Sequence, residues 1–179
     1  MGDNLDNRKI DEREYKESTL SSLYEEYYDK IARYAYFRVG NKAEAEDIAG
    51  EVFLKALKSL KSYKERGIPM QAWLFRIAHN LVVDYFRKMK KHETVPIDNV
   101  QIEGGINPAI VAEENAELER VKKAMEQLTQ EQKEVLRLRF FSELTSREAG
   151  QVLNKSDGAV REMQRAAIEK LRNLLTIEG

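Results

Sequence analysis

Three charged residues near the C-terminus have the types and spacing needed to read base pairs. Arg161, Glu162 and Arg165 lie on one side of a predicted helix, and the other side carries its apolar residues, Val160, Met163 and Ala167. Arginine is the commonest reader of guanine in the major groove, and a carboxylate can accept a hydrogen bond from cytosine. A solvated helix face has the same charges, so spacing alone leaves sequence recognition and a plain surface as equal alternatives.

A second group, between residues 61 and 91, mixes aromatic rings with basic side chains. Rings stack on unpaired bases and cations neutralise phosphates, so this mixture is typical of single-stranded nucleic-acid binding. Trp73 and Tyr85 lie on an apolar stripe and are expected in a core. Asn80 lies beside the stripe, where it can contact an unstacked base or be only a surface amide. The group comprises Tyr63, Trp73, Phe75, Tyr85 and Phe86, with Lys61, Lys64, Arg66, Arg76, Arg87, Lys88, Lys90 and Lys91.

A third group is a set of carboxylates on one predicted helix: Glu44, Glu46, Asp47 and Glu51. Asp47 and Glu51 are one turn apart and could bind a metal, but neither His79 nor His92 joins them at suitable spacing. Cysteine is absent, which excludes disulfides and thiol catalysis, and the sequence has no glycine-rich phosphate loop. A solvated or partner-binding face is therefore favoured, and we predict no metal, no cofactor and no catalytic residue.

The elements that carry these groups are predicted to be helices. Of 179 residues, 34% are charged and only 3 are proline, a composition that suits amphipathic helices better than a β-sandwich. Apolar periodicity predicts a three-helix bundle over residues 15–91, with Gly40 ending the first helix and Asn41 capping the second. Residues 64–69 are predicted to form a loop. The second helix is expected to bury Ile48, Ala49, Val52, Phe53, Ala56, Leu57 and Leu60.

A second bundle is predicted over residues 114–179. Two capping boxes, Thr129 with Gln132 and Thr145 with Glu148, mark helix starts, and Val135, Leu136, Leu138 and Phe140 follow the first as an apolar series. A short helix, a turn with Asn154 in left-handed conformation and a long helix capped by Ser156 form a predicted helix-turn-helix.

Charge is segregated although the net charge is only −1. Residues 61–91 hold eight basic and two acidic residues, and residues 137–175 hold eight basic and five acidic ones. Between the bundles, residues 92–113 are a predicted linker, and residues 93–119 hold seven acidic residues and no basic one. Two basic blocks can grip a polyanion at two places. With no signal peptide or spanning segment in sight, we predict a cytoplasmic protein without membrane insertion.

Three runs together resemble a known family. Residues 41–57 resemble region 2.2, residues 73–87 regions 2.3 and 2.4, and residues 157–172 region 4.2 of the extracytoplasmic-function (ECF) sigma factors of the sigma-70 family. The likeness covers about residues 18–175, and residues 73–87 are its most specific part. It implies an all-α fold of two small bundles, sigma region 2 and sigma region 4 with its helix-turn-helix, joined by an acidic flexible linker.

The resemblance also implies a function and its residues. The chain would direct core RNA polymerase to promoters, with the linker threaded through the polymerase cleft, and an anti-sigma factor is left open as a further partner. Docking on the β′ clamp helices would use Asp47, Glu51 and Phe53, and the β subunit would also be contacted. The −10 element would be bound by Tyr63, Lys64, Arg66, Gly67, Arg76, Asn80, Arg87 and Lys88. The −35 element would be bound by Arg147, Gly158, Arg161, Glu162 and Arg165.

Four positions depart from the family pattern: Gly50, Lys155, Glu162 and Ala166. We therefore expect an idiosyncratic promoter preference. Two alternatives remain at this point. One is a stand-alone helix-turn-helix repressor or activator that binds a palindrome without polymerase. The other is a helical enzyme with a carboxylate-bound metal on the face of Asp47 and Glu51.

Overall fold

The computed structural model describes residues 3–60, 62–63, 67–92, 116 and 119–177, with most of their side chains from residue 13 onward. All regular structure in these ranges is helical, so the predicted all-α class is confirmed. The chain divides into two compact units, Met1–Asp98 and Asn99–Gly179. The dividing point falls inside the predicted linker, of which residues 93–113 lie outside the described ranges.

The first unit is built from three helices: α1 (Asp3–Val39), α2 (Lys42–Ser59) and α3 (Met70–His92). Gly40 has φ +72°, and its amide donates to the carbonyl of Tyr36 at 2.8 Å. Asn41 then caps α2, because its Oδ1 accepts from the amide of Glu44 at 3.0 Å. The predicted end of α1 and the predicted cap of α2 are both confirmed.

The core of the first unit is centred on aromatic side chains of α1 and α3. Tyr34 is fully buried and its hydroxyl lies 3.0 Å from Nδ1 of His79, which ties the two helices together. Phe75 lies on a different side of α3 than predicted, since it was grouped with the rings that could face nucleic acid. Phe75 is fully buried and meets Tyr34 and Tyr27 edge-on, at centroid distances of 6.0 and 6.3 Å. Phe75 is thus a core residue, since α3 turns this side toward α1.

The prediction that Leu57 lies in the core is wrong. Its exposed fraction is 49%, and that of neighbouring Leu54 is 59%. The buried arc of α2 is filled by Ala45, Ile48, Ala49, Val52, Phe53 and Ala56, because α1 and α3 cover only that side of the helix. Leu57 lies at the edge of the arc, where apolar periodicity alone does not separate core from rim.

The second unit contains the helical residues 119–126 (α4), then α5 (Gln130–Leu136), a π-helical segment (Arg137–Phe141), α6 (Ser146–Leu153) and α7 (Asp157–Ile177). Both predicted capping boxes are confirmed, at Thr129 before α5 and at Thr145 before α6. The core is formed by apolar side chains from these elements: Ala124, Leu128, Val135, Leu136, Leu138, Leu144, Ala149, Val152, Val160 and Ala167.

Phe140, the last residue of the apolar series that follows Thr129, does not join the core. Its exposed fraction is 57%, whereas Leu138 is fully buried. The reason is the π-helical segment, whose wider i→i+5 turn changes the angle between successive side chains and breaks the α-helical periodicity used for the prediction. The amide of Ser142 donates to the carbonyl of Arg137 at 3.1 Å and closes this segment.

The turn between α6 and α7 has the predicted geometry. Asn154 has φ 55° and ψ 46°, the left-handed conformation. Lys155 donates its amide to the carbonyl of Gly150 at 2.8 Å, and Ser156 Oγ accepts from the amide of Ala159 at 3.1 Å. The turn backbone lies so close to α6 that a Cβ on Gly150 would be 2.5 Å from the carbonyl oxygen of Lys155.

This close approach gives a prediction of stability. Gly150→Ala is expected to lower the free energy of unfolding of the second unit by about 1–3 kcal/mol, because backbone must move to admit the methyl group. Gly158→Ala is the matched control: apart from its chain neighbours and the backbone of its own helix, nothing lies within 4 Å of the new Cβ, so the helix should gain up to about 1 kcal/mol. Urea unfolding of the full chain, with hydrogen exchange at α6 and α7 amides, measures both. Equal stabilities of the two variants would contradict the contact.

Candidate functional site

The first candidate surface is the acidic face, defined by Asp47 and Glu51 on α2. Both side chains are exposed and lie one turn apart, and Glu51 Oε1 is 3.5 Å from Nζ of Lys55. Burial and, after it, neighbouring Tyr24 and carboxylates including that of Asp47 raise the pKa of the Tyr28 hydroxyl. The exposed carboxylates of Asp47 and Glu51 make this part of α2 negative, which suits a basic partner.

An apolar groove of about 490 Å³ lies beside the acidic face, between α1 and α2. Gly50 leaves open space above its Cα, and Leu54 and Leu57 expose much of their side chains there. The lining also includes Leu20, Tyr24, Phe53 and the carboxylates of Glu17 and Glu25. Sequence reasoning missed this groove because it placed Leu57 in the core. Gly50, a departure from the family pattern, is one of the residues that line the groove.

Phe53 was predicted to contact a partner together with Asp47 and Glu51. Its exposed fraction is only 7%, and its ring packs on Tyr24 at a centroid distance of 4.8 Å and on Tyr28 at 6.3 Å. The side chain therefore belongs mainly to the core and forms the floor of the groove. The acidic face therefore consists of Asp47 and Glu51 alone.

The second candidate surface begins at the loop before α3. The Tyr63 hydroxyl donates to the carbonyl of Ile68 at 2.7 Å, and its ring lies 4.8 Å from that of Trp73. Gly67 is exposed and has φ +72°, which favours glycine. Lys64 and Arg66, predicted to bind DNA from this loop, lie outside the described residues. The described part of the loop is thus anchored to the start of α3 through Tyr63.

Four exposed residues of α3 form one stripe, which we call the α3 stripe: Arg76, Asn80, Val83 and Arg87. Their spacing of four, three and four residues places them on the same side of the helix. Arg87 pairs with Asp84 at 2.9 Å, and Lys88 is exposed next to it. His79, which precedes Asn80, is hydrogen-bonded to Tyr34 of α1. This contact holds the middle of α3 against α1. Val83 was missed by sequence reasoning and gives the stripe an apolar patch.

The third candidate surface is the recognition face, made of Arg161, Glu162 and Arg165 on α7. All three are exposed, as are Arg147 on α6 and Gly158 in the first turn of α7. Arg139 holds α7 in place, since its Nε donates to Gln164 Oε1 at 2.8 Å and its Nη1 donates to the carbonyl of Leu144. The structure therefore brings all five residues predicted to bind the −35 element to the α6–α7 pair.

Ion pairs organise the recognition face. Arg161 Nη2 lies 3.1 Å from Asp157, and Arg165 Nη2 lies 2.6 Å from Glu162. Hydrogen bonding from Arg165, with its positive charge as the second cause, lowers the pKa of the Glu162 carboxyl. The Glu162 carboxylate is therefore ionised at neutral pH, and the face presents paired charges and not bare cations.

Lys155 in the helix-turn-helix turn now has an explanation. Its Nζ lies 2.9 Å from Glu131 on α5, and its side chain is 29% exposed. The ion pair ties the turn to α5. Ala166 is partly buried, and nothing in the structure explains why it stands there.

The described part of the chain holds neither a cluster of metal ligands nor a membrane-spanning helix. In those ranges, no group of three or more His, Asp or Glu side chains is placed to hold a metal ion. Likewise, none of the described helices combines the length and hydropathy needed to cross a membrane.

Two family models match the chain, one in each unit. The Sigma-70 region 2 model matches residues 23–92, which include the acidic face and the α3 stripe. The Sigma-70, region 4 model matches residues 124–173, which include the recognition face. The two matches follow the order implied by the resemblance.

Curated relatives agree with these models. The chain is 34% identical to the ECF RNA polymerase sigma factor BldN of Streptomyces coelicolor over 157 residues, covering 86% of the chain but 59% of BldN. It is 36% identical to the ECF RNA polymerase sigma factor ShbA of Streptomyces griseus over 134 residues, covering 72% of the chain and 70% of ShbA. The chain thus spans less than two thirds of BldN.

Solved structures show the same fold. CnrH, in complex with the cytosolic domain of CnrY, gives a TM-score of 0.67 at 22% identity and covers 95% of this chain and 96% of CnrH. The sigma factor RpoE of Bartonella quintana, in complex with the anti-sigma factor NepR, gives a TM-score of 0.69 at 21% identity and covers 89% of this chain and 98% of RpoE. With both regional models in order and ShbA 36% identical, the chain belongs to the ECF sigma factors of the sigma-70 family.

Proposed function

We propose that this chain binds core RNA polymerase, directs it to specific promoters and starts transcription by binding the −35 duplex and capturing the unpaired −10 strand. Its place of action is then the cytoplasm of a bacterium, where polymerase works. The chain supplies recognition and no catalysis, as in its family. One observation carries the proposal: each unit exposes a set of side chains suited to nucleic acid, the α3 stripe and the recognition face, and each set lies inside its matching family domain.

Polymerase docking is assigned to the acidic face and the adjacent groove. Asp47 and Glu51 offer negative charge, and Leu54 and Leu57 offer apolar area that water covers in the free chain. Burying apolar surface supplies affinity, at roughly 25 cal/mol per Å², while complementary charge sets orientation and association rate. A partner helix with an apolar edge flanked by basic residues would complement this negative and apolar surface. We propose that the β′ clamp helices are that partner.

The two DNA surfaces act on different states of the promoter. The recognition face is the start of the second helix of a helix-turn-helix, which enters the major groove of duplex DNA. The α3 stripe offers an amide, an apolar patch and cations, which fit a base out of the stack and its phosphates. Extruding a base costs a few kcal/mol, which polymerase contacts and the protein pocket must offset. The −35 step therefore precedes the −10 step.

An in vitro transcription assay tests the proposal as a whole. Core polymerase with the chain is expected to initiate at defined sites, whereas the free chain should bind duplex DNA weakly, since its net charge is −1 and the arginines of the recognition face are paired. Mapping of start sites gives the −35 and −10 sequences. Tight binding of a palindrome by the free chain, with no initiation, would support the repressor alternative instead.

Asn80→Ala is expected to separate the two DNA steps. The side chain lies on the α3 stripe, distant in sequence from the recognition face, so the variant should keep initial promoter binding close to wild type. Strand opening should slow and the −10 preference should change, because the amide that contacts the captured base is lost. Permanganate footprinting measures opening through its reaction with unpaired thymines.

The control for Asn80→Ala is Asn173→Ala, which removes an exposed amide from α7 of the second unit. This variant should open the promoter at the wild-type rate. If Asn80→Ala also left opening and −10 preference unchanged, Asn80 would be only a surface amide of α3.

An anti-sigma factor completes the proposed partners. The relatives CnrH and RpoE were solved with the cytosolic domain of CnrY and with NepR, respectively. We assign such a partner to the groove beside the acidic face. Core polymerase and the anti-sigma factor would then bind the same exposed apolar surface, so each would exclude the other. Core polymerase should displace the anti-sigma factor in a competition assay, and simultaneous binding of both would exclude a shared groove.

A further inference from the structure

The guanidinium of Arg165 is held by two carboxylates of its own helix. Its Nη2 and Nε lie 2.6 and 3.2 Å from the two oxygens of Glu162, a side-on bidentate pair. Its Nη1 lies 3.3 Å from Glu169 one turn further along α7. Three of the five N–H groups of the guanidinium are thereby engaged, and the plane of the group is fixed relative to the helix.

The two remaining N–H groups are one on Nη1 and one on Nη2. These terminal nitrogens are the atoms with which an arginine can bridge O6 and N7 of guanine. Glu162 occupies the Nε side and Glu169 takes one N–H of Nη1, so one N–H on each terminal nitrogen is left for a base edge. The contact thus leaves a base-reading group free while it removes rotational freedom that Arg165 would otherwise lose on binding.

Glu162 itself is poorly placed to read a base. Both of its oxygens face Arg165, at 2.6 and 3.2 Å. A carboxylate without that partner would be repelled by the phosphates that line the groove. An exposed ion pair contributes at most about a fivefold factor to an equilibrium constant, which is less than a bidentate base contact contributes. The Glu162–Arg165 pair can therefore orient Arg165 without preventing it from binding DNA.

We propose that Glu162 is a positioning residue that sets the direction of Arg165 on the recognition face and thereby sharpens the base preference at −35. The inference rests on the proposed function, because it assumes that α7 reads the −35 element. Asp157 has a parallel arrangement: it accepts from Ser146 Oγ on α6 and lies 3.1 Å from Arg161. Asp157 also begins α7, so its loss would disturb the helix, and Glu162 is the cleaner position to test.

The experiment measures binding of holoenzyme to promoters in which each −35 base pair is changed in turn. The variants are Glu162→Ala, Arg165→Ala and the double variant, and the control is Glu126→Ala, which removes an exposed carboxylate from α4. Arg165→Ala should lower discrimination at one or two base pairs by about five- to a hundredfold. Glu162→Ala should lower it about two- to fivefold at the same base pairs, with a steeper dependence of binding on salt.

The double variant decides between the two roles of Glu162. If Glu162 acts through Arg165, the double variant discriminates no worse than Arg165→Ala alone. Loss at a different base pair, additive with Arg165→Ala, would mean that Glu162 reads a base and would overturn the inference. Unchanged discrimination in Glu162→Ala, as in the control, would also overturn it. If even Arg165→Ala left every −35 preference intact, the assignment of α7 to the −35 element would fail, and this inference with it.

Discussion

Reversing both charges of the acidic face, with Asp47→Arg and Glu51→Arg in one chain, is expected to abolish association with core RNA polymerase. The side chains are exposed, so the fold should lose no more than about 0.5 kcal/mol per substitution. The interface changes far more, because like charges placed opposite each other cost several kcal/mol, which is at least a hundredfold in affinity. Co-purification with core polymerase and promoter-specific transcription should both be lost, and circular dichroism should stay helical.

A matched control makes the same change of charge elsewhere. Glu119→Arg with Glu126→Arg reverses two exposed carboxylates that lie two turns apart on α4. This chain should bind polymerase with about wild-type affinity. Full binding by the Asp47 and Glu51 variant would remove the acidic face from the interface, and Leu54→Ala with Leu57→Ala would then test the groove alone.

Loss of the two arginines of the recognition face is expected to have the second largest effect. Arg161 and Arg165 are one turn apart, so one side of a groove-bound helix presents both. A bidentate base contact is worth about 1–3 kcal/mol, so each alanine variant should weaken initial promoter binding about five- to a hundredfold and relax preference at one or two −35 positions. A premelted template should not rescue binding, because the loss precedes strand opening.

Arg172→Ala is the control on the same helix, since Arg172 is exposed but lies two turns beyond Arg165. It should leave the −35 preference intact. Electrophoretic binding assays at several salt concentrations separate the two kinds of contact: loss of a base contact changes preference, whereas loss of a phosphate contact weakens all sequences alike. Equal weakening of every sequence by Arg161→Ala and Arg165→Ala would make these residues phosphate contacts.

Local signals in the sequence were sufficient for helix ends and turns. The predicted cap at Asn41, the boxes at Thr129 and Thr145 and the left-handed Asn154 all have the expected geometry. These features depend on hydrogen bonds between residues no more than a few positions apart, so the neighbouring residue types determine them. The runs that resembled ECF sigma factors also determined the family, which the two Sigma-70 regional models and the relative ShbA confirm.

Surface membership could not be predicted in the same way. Phe75 became core, while Leu57 and Phe140 became exposed, because burial depends on which sides of a helix its neighbours cover. A 3.6-residue period gives the direction of an apolar arc but not its width, and the π-helical segment shifted the period itself. The groove beside the acidic face could not be predicted for the same reason. No local sequence pattern shows that the space above Gly50 is open.

The sequence by itself determined the helical class, the caps and turns, the separation of charge into blocks and the family, since each depends on residue type and short spacing. Only the tertiary structure decided which of those residues act together. It tied His79 to Tyr34, Lys155 to Glu131 and Arg139 to Gln164, pairs at least 24 residues apart in the chain. Such contacts arise when packed helices bring distant side chains within hydrogen-bonding distance, and the fold of the whole unit sets that distance.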